Sequence, residues 1–409
     1  MATVDLTAWN DALYIHYTTD RLYNLADLDN PTLGQIAKDT NAGGRHLSQG
    51  LIYQIGGGGS ADIALSISEA QASIPEEFIP ILRQKIYEVA ILDNETIEAS
   101  AKDRDAFAKA IDEIDRKMKA ATMRMEAKLF RGRGGWIGRS STATVLASTV
   151  VVLDDPADAF NFYKGQTIQF ATTDGTSGAV LAGGPMTVAS VQREAGTVTF
   201  TAQIDTTLTG ETTTMYLFKN GDFGKGLIGF YDWVPTDRTG LATPFFSVTR
   251  SDDPDRLAGL FRDGRGEPLF DTLIKAVGTL GKHGVTADFV LMNPDTMTEL
   301  ILSAQGKTII ENTQVPSSRT QTIGYDTFKI RVGSAMVTIR TSWAAPANKM
   351  LVGKWESWKL RSLGDMPKFL NRTGILHQME NADSYQARVG GYGNLFCCAP
   401  GWNMAVLLA

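Results

Sequence analysis

Apolar residues between Asn94 and Phe130 recur at steps of three and four. Ile97, Phe107, Ile111, Ile114, Met118, Met125 and Leu129 fall on one stripe, while Lys102, Asp103, Asp112, Asp115, Arg116 and Lys117 occupy the other faces. This spacing predicts an amphipathic helix, and the segment contains neither Pro nor Gly. Asn94 is suited to cap it, with Glu95 and Glu98 complementing the dipole of the first turn. Arg131-Gly132-Arg133-Gly134-Gly135 ends it, with cations near the last carbonyls and glycine to turn the chain. At ~1.5 Å per residue the predicted helix is roughly 55 Å long, about twice the span of a small domain. The stripe lacks the sustained heptads of a coiled coil.

The preceding stretch, Gly43 to Asp93, follows a different period. Leu51-Ile52-Tyr53-Gln54-Ile55 is a β-rich run ending at Gly56-Gly57-Gly58-Gly59-Ser60, and a second run extends from Phe78 to Ile91. In its latter half Lys85, Tyr87 and Val89 alternate with Ile86, Glu88 and Ala90, as in a two-sided strand. Two such runs joined by a glycine tip predict a long β-hairpin. An isolated two-stranded ribbon is marginal in water, so this arm calls for a partner surface. Gly56, Gly57, Gly58 and Gly59 at the tip, and Arg83, Lys85 and Tyr87 on the returning strand, are the candidate contact residues.

After the helix, short strands rich in Thr, Val and Gly are expected at Thr149 to Leu153, Gln166 to Ala171, Met186 to Gln192, Thr197 to Ala202 and Thr214 to Phe218. Their regular spacing predicts a small β-barrel or sandwich inserted as its own unit. Further on, Glu267 to Leu280 reads as a helix, Ala287 to Met292 as a buried strand, and Asn293-Pro294 as the start of another helix. Phe328 to Arg331 and Met336 to Arg340 read as paired strands, and Trp343 to Arg361 and Leu395 to Leu408 as β-rich. The whole is an α+β chain.

Composition narrows the function. The 409 residues are 43% hydrophobic and 21% charged, an ordinary globular balance. The net charge of -6 argues against wholesale phosphate neutralisation. Cys397 and Cys398 are the only cysteines and are adjacent, so no disulfide scaffold exists and a reducing compartment fits. The first residues lack the charged-then-apolar order of a signal peptide, and no apolar run reaches the ~20 residues of a membrane span. A cytoplasmically made, membrane-free protein is expected.

Catalytic chemistry finds no foothold. His16, His46, His283 and His377 show no metal-ligand spacing. Gly221-Asp222-Phe223-Gly224-Lys225-Gly226 looks superficially like a phosphate loop, but Gly226 stands where a hydroxyl residue would be needed, so it reads as a turn out of the β unit. No GxSxG elbow or HExxH helix occurs. No cofactor or metal site is expected.

The order of parts resembles the major capsid protein of tailed bacteriophages, the Hong Kong 97-type fold. Ser66 to Ala72 followed by Phe78 and Lys85-Ile86-Tyr87-Glu88-Val89 is similar to that family's extended loop, and Leu92 to Ser100 to the start of its spine helix. Phe289 to Pro294 resembles the strand-to-helix turn of its axial domain, and Asn394 to Pro400 the closing strand of its peripheral domain. The resemblance implies an N-terminal arm (1–42), an extended loop (43–93), a spine helix (94–133), an inserted all-β domain (134–225), peripheral strands (226–265), an axial domain (266–345) and closing strands (346–409). It implies a shell protein that forms pentamers and hexamers around double-stranded DNA, without sequence-specific contact, in a virion assembled in the host cytoplasm. With about 42 residues before the arm, a separate scaffolding protein is expected, beside a portal, and the binding of a decoration protein is left open. Lys85 is the only lysine of the arm and no crosslinking partner is singled out. Encapsulin-type compartments share the fold and form the rival reading; a soluble enzyme with an unrecognised site is the other.

Overall fold

The structure, a computed structural model, describes residues 32–44, 46–50, 58–70, 79–95, 104–141, 148–181, 184–204, 214–304, 329–333, 335–370 and 374–408. The chain first forms β1 (Ala37–Asp39), β2 (His46–Gln49), helix α1 (Ile63–Ser68), β3 (Ile79–Leu82), β4 (Gln84–Asp93) and helix α2 (Arg104–Arg131). There follow β5 (Trp136–Arg139), β6 (Val150–Val152), β7 (Thr167–Ala171), β8 (Met186–Gln192), β9 (Thr197–Phe200) and β10 (Tyr216–Lys219). Next come β11 (Leu260–Asp263), α3 (Leu269–Lys282), β12 (Phe289–Met292), α4 (Pro294–Ala304), β13 (Lys329–Val332), β14 (Ala335–Thr341) and β15 (Lys349–Gly353). The last strands are β16 (Trp358–Ser362), β17 (Lys368–Phe369), β18 (Leu376–Gln378), β19 (Ser384–Cys397) and β20 (Met404–Leu407).

Helix α2 is the beam of the subunit. Its 28 residues span about 42 Å at ~1.5 Å each. Ile114, Met118, Met125 and Leu129 of the predicted stripe are buried, joined by Ala121. Residues 96–103, including Ile97 and Glu98, lie outside the described residues. The helix ends where Gly132 takes a φ of 87°, a turn that a side chain would strain, and its N–H donates to the Lys128 carbonyl at 3.2 Å.

Among the described residues there are three six-stranded sheets. The first runs β1-β16-β19-β17, with β4 and β18 also paired to β19. Here the expected arm changes shape. Gln84–Asp93 is not the returning strand of a hairpin but pairs antiparallel with β19 over ten residues, from Gln84 opposite Gly393 to Asp93 opposite Ser384. The alternation in this run did mark a two-sided strand. Its inner residues Ala90 and Leu92 meet Ile114, Met118 and Ala121 of α2, a partner within the chain that sequence periodicity cannot reveal. Among the described residues the arm's paired ribbon is β2 against β3, His46–Gln49 with Ile79–Leu82. The predicted outgoing strand, Leu51 to Ile55, falls outside the described residues.

The second sheet, β5-β10-β7-β8-β9-β6, is the inserted domain, with its own core of Phe162, Phe170, Phe200, Ile168 and Leu217. Its expected hairpin is present as β8 and β9, with a bulge between Val188 and Ser190. The third sheet runs β11-β20-β15-β12-β14-β13 and packs against α3 and α4 through Leu273, Val277, Leu280 and Leu300. Asn293 caps α4 by accepting the Asp295 N–H at 3.0 Å, as its position before Pro294 suggested. Residues 226–265 differ from the expected peripheral strands. They hold one-turn helices and a single strand, β11, which runs parallel to β20 in the third sheet.

Candidate assembly surface

The expected contact residues divide into anchors and exposed groups. Arg83 is an anchor within the chain. It sits between β3 and β4, and its guanidinium donates to the Ala42 carbonyl at 3.1 Å and to the Gly44 carbonyl. The side-chain amide of Asn394 donates to the Leu82 carbonyl at 3.1 Å, fastening the same base to β19. Lys85 is exposed, opposite Tyr392 in the ladder. Tyr87 meets the Tyr392 ring edge-on at 6.0 Å. Its phenol is pushed up to about 12, by desolvation first and then by the Tyr392 hydroxyl. Tyr87, Val89 and Ile91 form an exposed apolar row on the outer face of β4.

Gly56 and Gly57 lie outside the described residues. Gly58 has a φ of 121°, and a Cβ there would come within 3.1 Å of the Ala70 backbone, so glycine is required. Gly59 faces open space. The sequence reading placed only a flexible tip here and missed α1. Asp62 caps this helix by accepting the Ala64 N–H at 2.9 Å, and the Ser66 hydroxyl accepts the Ser60 N–H at 3.0 Å. No residue of α1 is buried: Ile63 is 79% and Ile67 71% exposed. The signal available was Asp62 at an N-cap with isoleucines at i and i+4 behind it.

The opposite end of α2 is tied down by charge. Arg124 pairs with Glu88 on β4 and with Asp222 at 2.9 Å, Lys128 reaches Asp222 at 3.0 Å, and Lys219 reaches Glu88 at 3.3 Å. Burial pulls the Asp222 carboxyl upward, but Lys128 and Arg124 together hold it below the usual carboxylate range. Arg131 pairs with Asp158 of the inserted domain, both nearly inaccessible. On another side Glu126, fully buried, accepts the Leu33 N–H at 3.1 Å and the Ser342 hydroxyl at 2.7 Å. One carboxyl thus joins the end of the N-terminal arm, the helix and the loop after β14.

The inserted domain leaves and rejoins the chain through a glycine neck. Gly224 N–H donates to the Gly134 carbonyl at 2.9 Å and Gly226 N–H to the Arg133 carbonyl at 3.0 Å. A Cβ on Gly134 would stand 1.7 Å from the Asp174 carbonyl oxygen, and one on Gly226 2.3 Å from that of Gly132. Within the phosphate-loop-like segment Gly226 is thus explained by close backbone packing, and Gly221 and Gly224 by their positive φ of 86° and 69°.

Nothing among the described residues assembles a reaction centre. Cys397 is buried, with its thiol pushed up by desolvation, and no group of three or more His, Cys, Asp or Glu side chains could hold a metal. No described helix is long and apolar enough to cross a membrane. What the geometry presents is an unburied apolar helix, α1, beside a charge-braced frame.

No protein family and no curated protein matches the chain by sequence. Solved structures do match by shape. The capsid asymmetric unit of cyanophage A-1(L) covers 93% of this chain, over 92% of its own length, at 12% identity and a TM-score of 0.50. The chain has the Hong Kong 97-type capsid fold. Two further solved shell structures are also similar to it. The capsid of a native GTA particle gives 10% identity, coverage of 93% and 90%, and a TM-score of 0.45. The SrpI encapsulin from Synechococcus elongatus gives 8% identity, coverage of 92% and 86%, and a TM-score of 0.42.

Proposed function

We propose that this chain is the major capsid protein of a tailed bacteriophage, with a structural rather than catalytic role. It assembles as hexamers and pentamers into the icosahedral head shell that encloses double-stranded DNA. The observation that carries this reading is the match to a phage capsid subunit over nearly the whole of both chains. The strap supports it: an exposed apolar tip on a two-stranded ribbon is stabilised when it crosses onto a second copy. Its location is the virion, after assembly in the host cytoplasm. A separate scaffolding protein guides assembly, and a portal completes the shell. The acidic net charge suits a shell that encloses DNA without sequence-specific contact.

The test is electron microscopy of the chain expressed with its scaffolding protein. Closed icosahedral particles are expected; persistent monomers or small compact oligomers would refute the assignment.

A further inference from the structure

Where the end of α2 meets the inserted domain and the third sheet, the chain forms a cavity of about 280 Å³. One water needs only about 10–15 Å³ of such space, so this cavity has room for a molecule of several heavy atoms. Three elements each bring a hydrogen-bond donor to its wall. Arg131 is the last residue of α2, Tyr231 stands on the one-turn helix Phe230–Trp233, and Lys349 begins β15. Trp136 of the inserted domain backs the Arg131 guanidinium at 5.6 Å.

These donors outnumber their acceptors. The Arg131 side chain is 3% exposed and pairs with Asp158 through Nη2, which leaves its Nε without an acceptor. The Tyr231 hydroxyl is buried and has no partner either. The Lys349 ammonium lies over the Tyr231 ring at 5.3 Å and makes no ion pair among the described residues. A buried donor without an acceptor is costly, and native folds rarely keep two in one cavity.

The carboxylates around the cavity are already engaged. Asp158 holds Arg131, and Asp154 faces Arg139 at 3.7 Å on the rim. Asp155 accepts the Ala157 N–H at 3.0 Å and the Ala347 N–H at 3.1 Å. Asp232 accepts the Gly229 and Arg133 N–H groups, both at 2.7 Å. What remains is the charge of Lys349 and three donors around one space. Water would satisfy the hydrogen bonds but not the charge.

We infer that this cavity binds a small oxyanion of the phosphate type. The oxyanion accepts from Arg131 Nε, the Tyr231 hydroxyl and Lys349 Nζ, and its charge offsets that of the lysine. Burial first, and Arg131 second, hold the Lys349 amine below its usual range, and an anion beside it opposes both. The ligand acts as a rivet, joining α2, the inserted domain and the third sheet at one point. The site goes beyond the shell reading and does not depend on it.

The experiment is thermal unfolding of the full-length subunit in phosphate-free buffer, titrated with inorganic phosphate against sodium chloride at matched ionic strength. A saturable rise in melting temperature is expected, with calorimetry giving one phosphate per subunit. Lys349→Met should weaken binding about tenfold, whereas Lys164→Met, at an exposed position outside the cavity, should leave it unchanged. Tyr231→Phe adds a readout that a purely structural role would not move. It removes a hydroxyl that has no partner in the chain, so without phosphate the variant should melt at or above the parent temperature. Its rise on adding phosphate should be severalfold smaller than the parent's. A rise that never saturates, or that is as large in Lys349→Met as in the parent, is a general salt effect and overturns the site. An equal rise in Tyr231→Phe, or a variant that already melts below the parent without phosphate, overturns it as well. If Lys349→Met does not fold, the Tyr231→Phe comparison decides alone.

Discussion

Glu126 offers the sharpest test of how the frame is held. Replacing it with alanine removes the acceptor of the Leu33 N–H, in a place where Leu33 has no exposed surface. A buried unpaired donor costs about 1–3 kcal/mol, and the deleted side-chain atoms add about 1 kcal/mol of lost packing. The Ser342 hydroxyl also loses its acceptor. Together Glu126→Ala should destabilise the subunit by about 3 kcal/mol. Glu126→Gln keeps one oxygen for Leu33 and turns an amide N–H toward the Ser342 oxygen, so its cost should stay near 1 kcal/mol or below.

The two variants also separate packing from charge. Burial raises the Glu126 carboxyl above its ordinary value, more than its hydrogen bonds lower it. Between the unfolded and the folded titration points the native state therefore binds more protons than the unfolded chain. Stability should fall as pH rises through that window and level off above it. The Glu126→Gln subunit should lack this slope. Urea unfolding of purified subunits at a series of pH values measures both effects. An alanine cost below about 0.5 kcal/mol, or the same slope in the glutamine variant, would refute the account.

Further predictions follow from the same frame. Asp222→Asn leaves Lys128 buried without its carboxylate, so stability should drop by about 3 kcal/mol, and Lys128→Met in that background should recover much of the loss in urea titrations. Gly134→Ala drives a methyl into the Asp174 carbonyl and should abolish soluble subunit, whereas Gly165→Ala, with a φ of 84° but open surroundings, should cost about 1–2 kcal/mol by thermal melting. Deleting residues 58–70 should leave the melting temperature of the subunit unchanged, because α1 supports no core, yet eliminate shells in electron micrographs. Normal particles from that deletion would contradict the role given to the strap.

Much of this architecture was legible because local signals agreed with it. The α2 stripe at steps of three and four, the Asn293-Pro294 helix start and the β8–β9 alternation all depend on neighbours in sequence. Gln84–Asp93 was misplaced because its strand character is local but its partner β19 is remote. The anchoring of Arg83 was invisible for a related reason. An exposed-looking cation in a β-rich run gives no hint that Ala42 and Gly44 turn their carbonyls toward it. Helix α1 was overlooked because the adjoining tetraglycine dominated the reading, although Asp62 supplied a cap.

The glycine neck has a consequence for how such a chain could arise. Residues 133–135 and 224–226 lie in direct backbone contact, so the polypeptide enters and leaves the inserted module at one point. A segment whose two ends coincide can be added to a loop in a single genetic event, with no rearrangement of the host's strand order. It can equally be exchanged for another domain with neighbouring termini. The α2–β10 junction is therefore a natural port for displaying foreign polypeptides on whatever this chain builds.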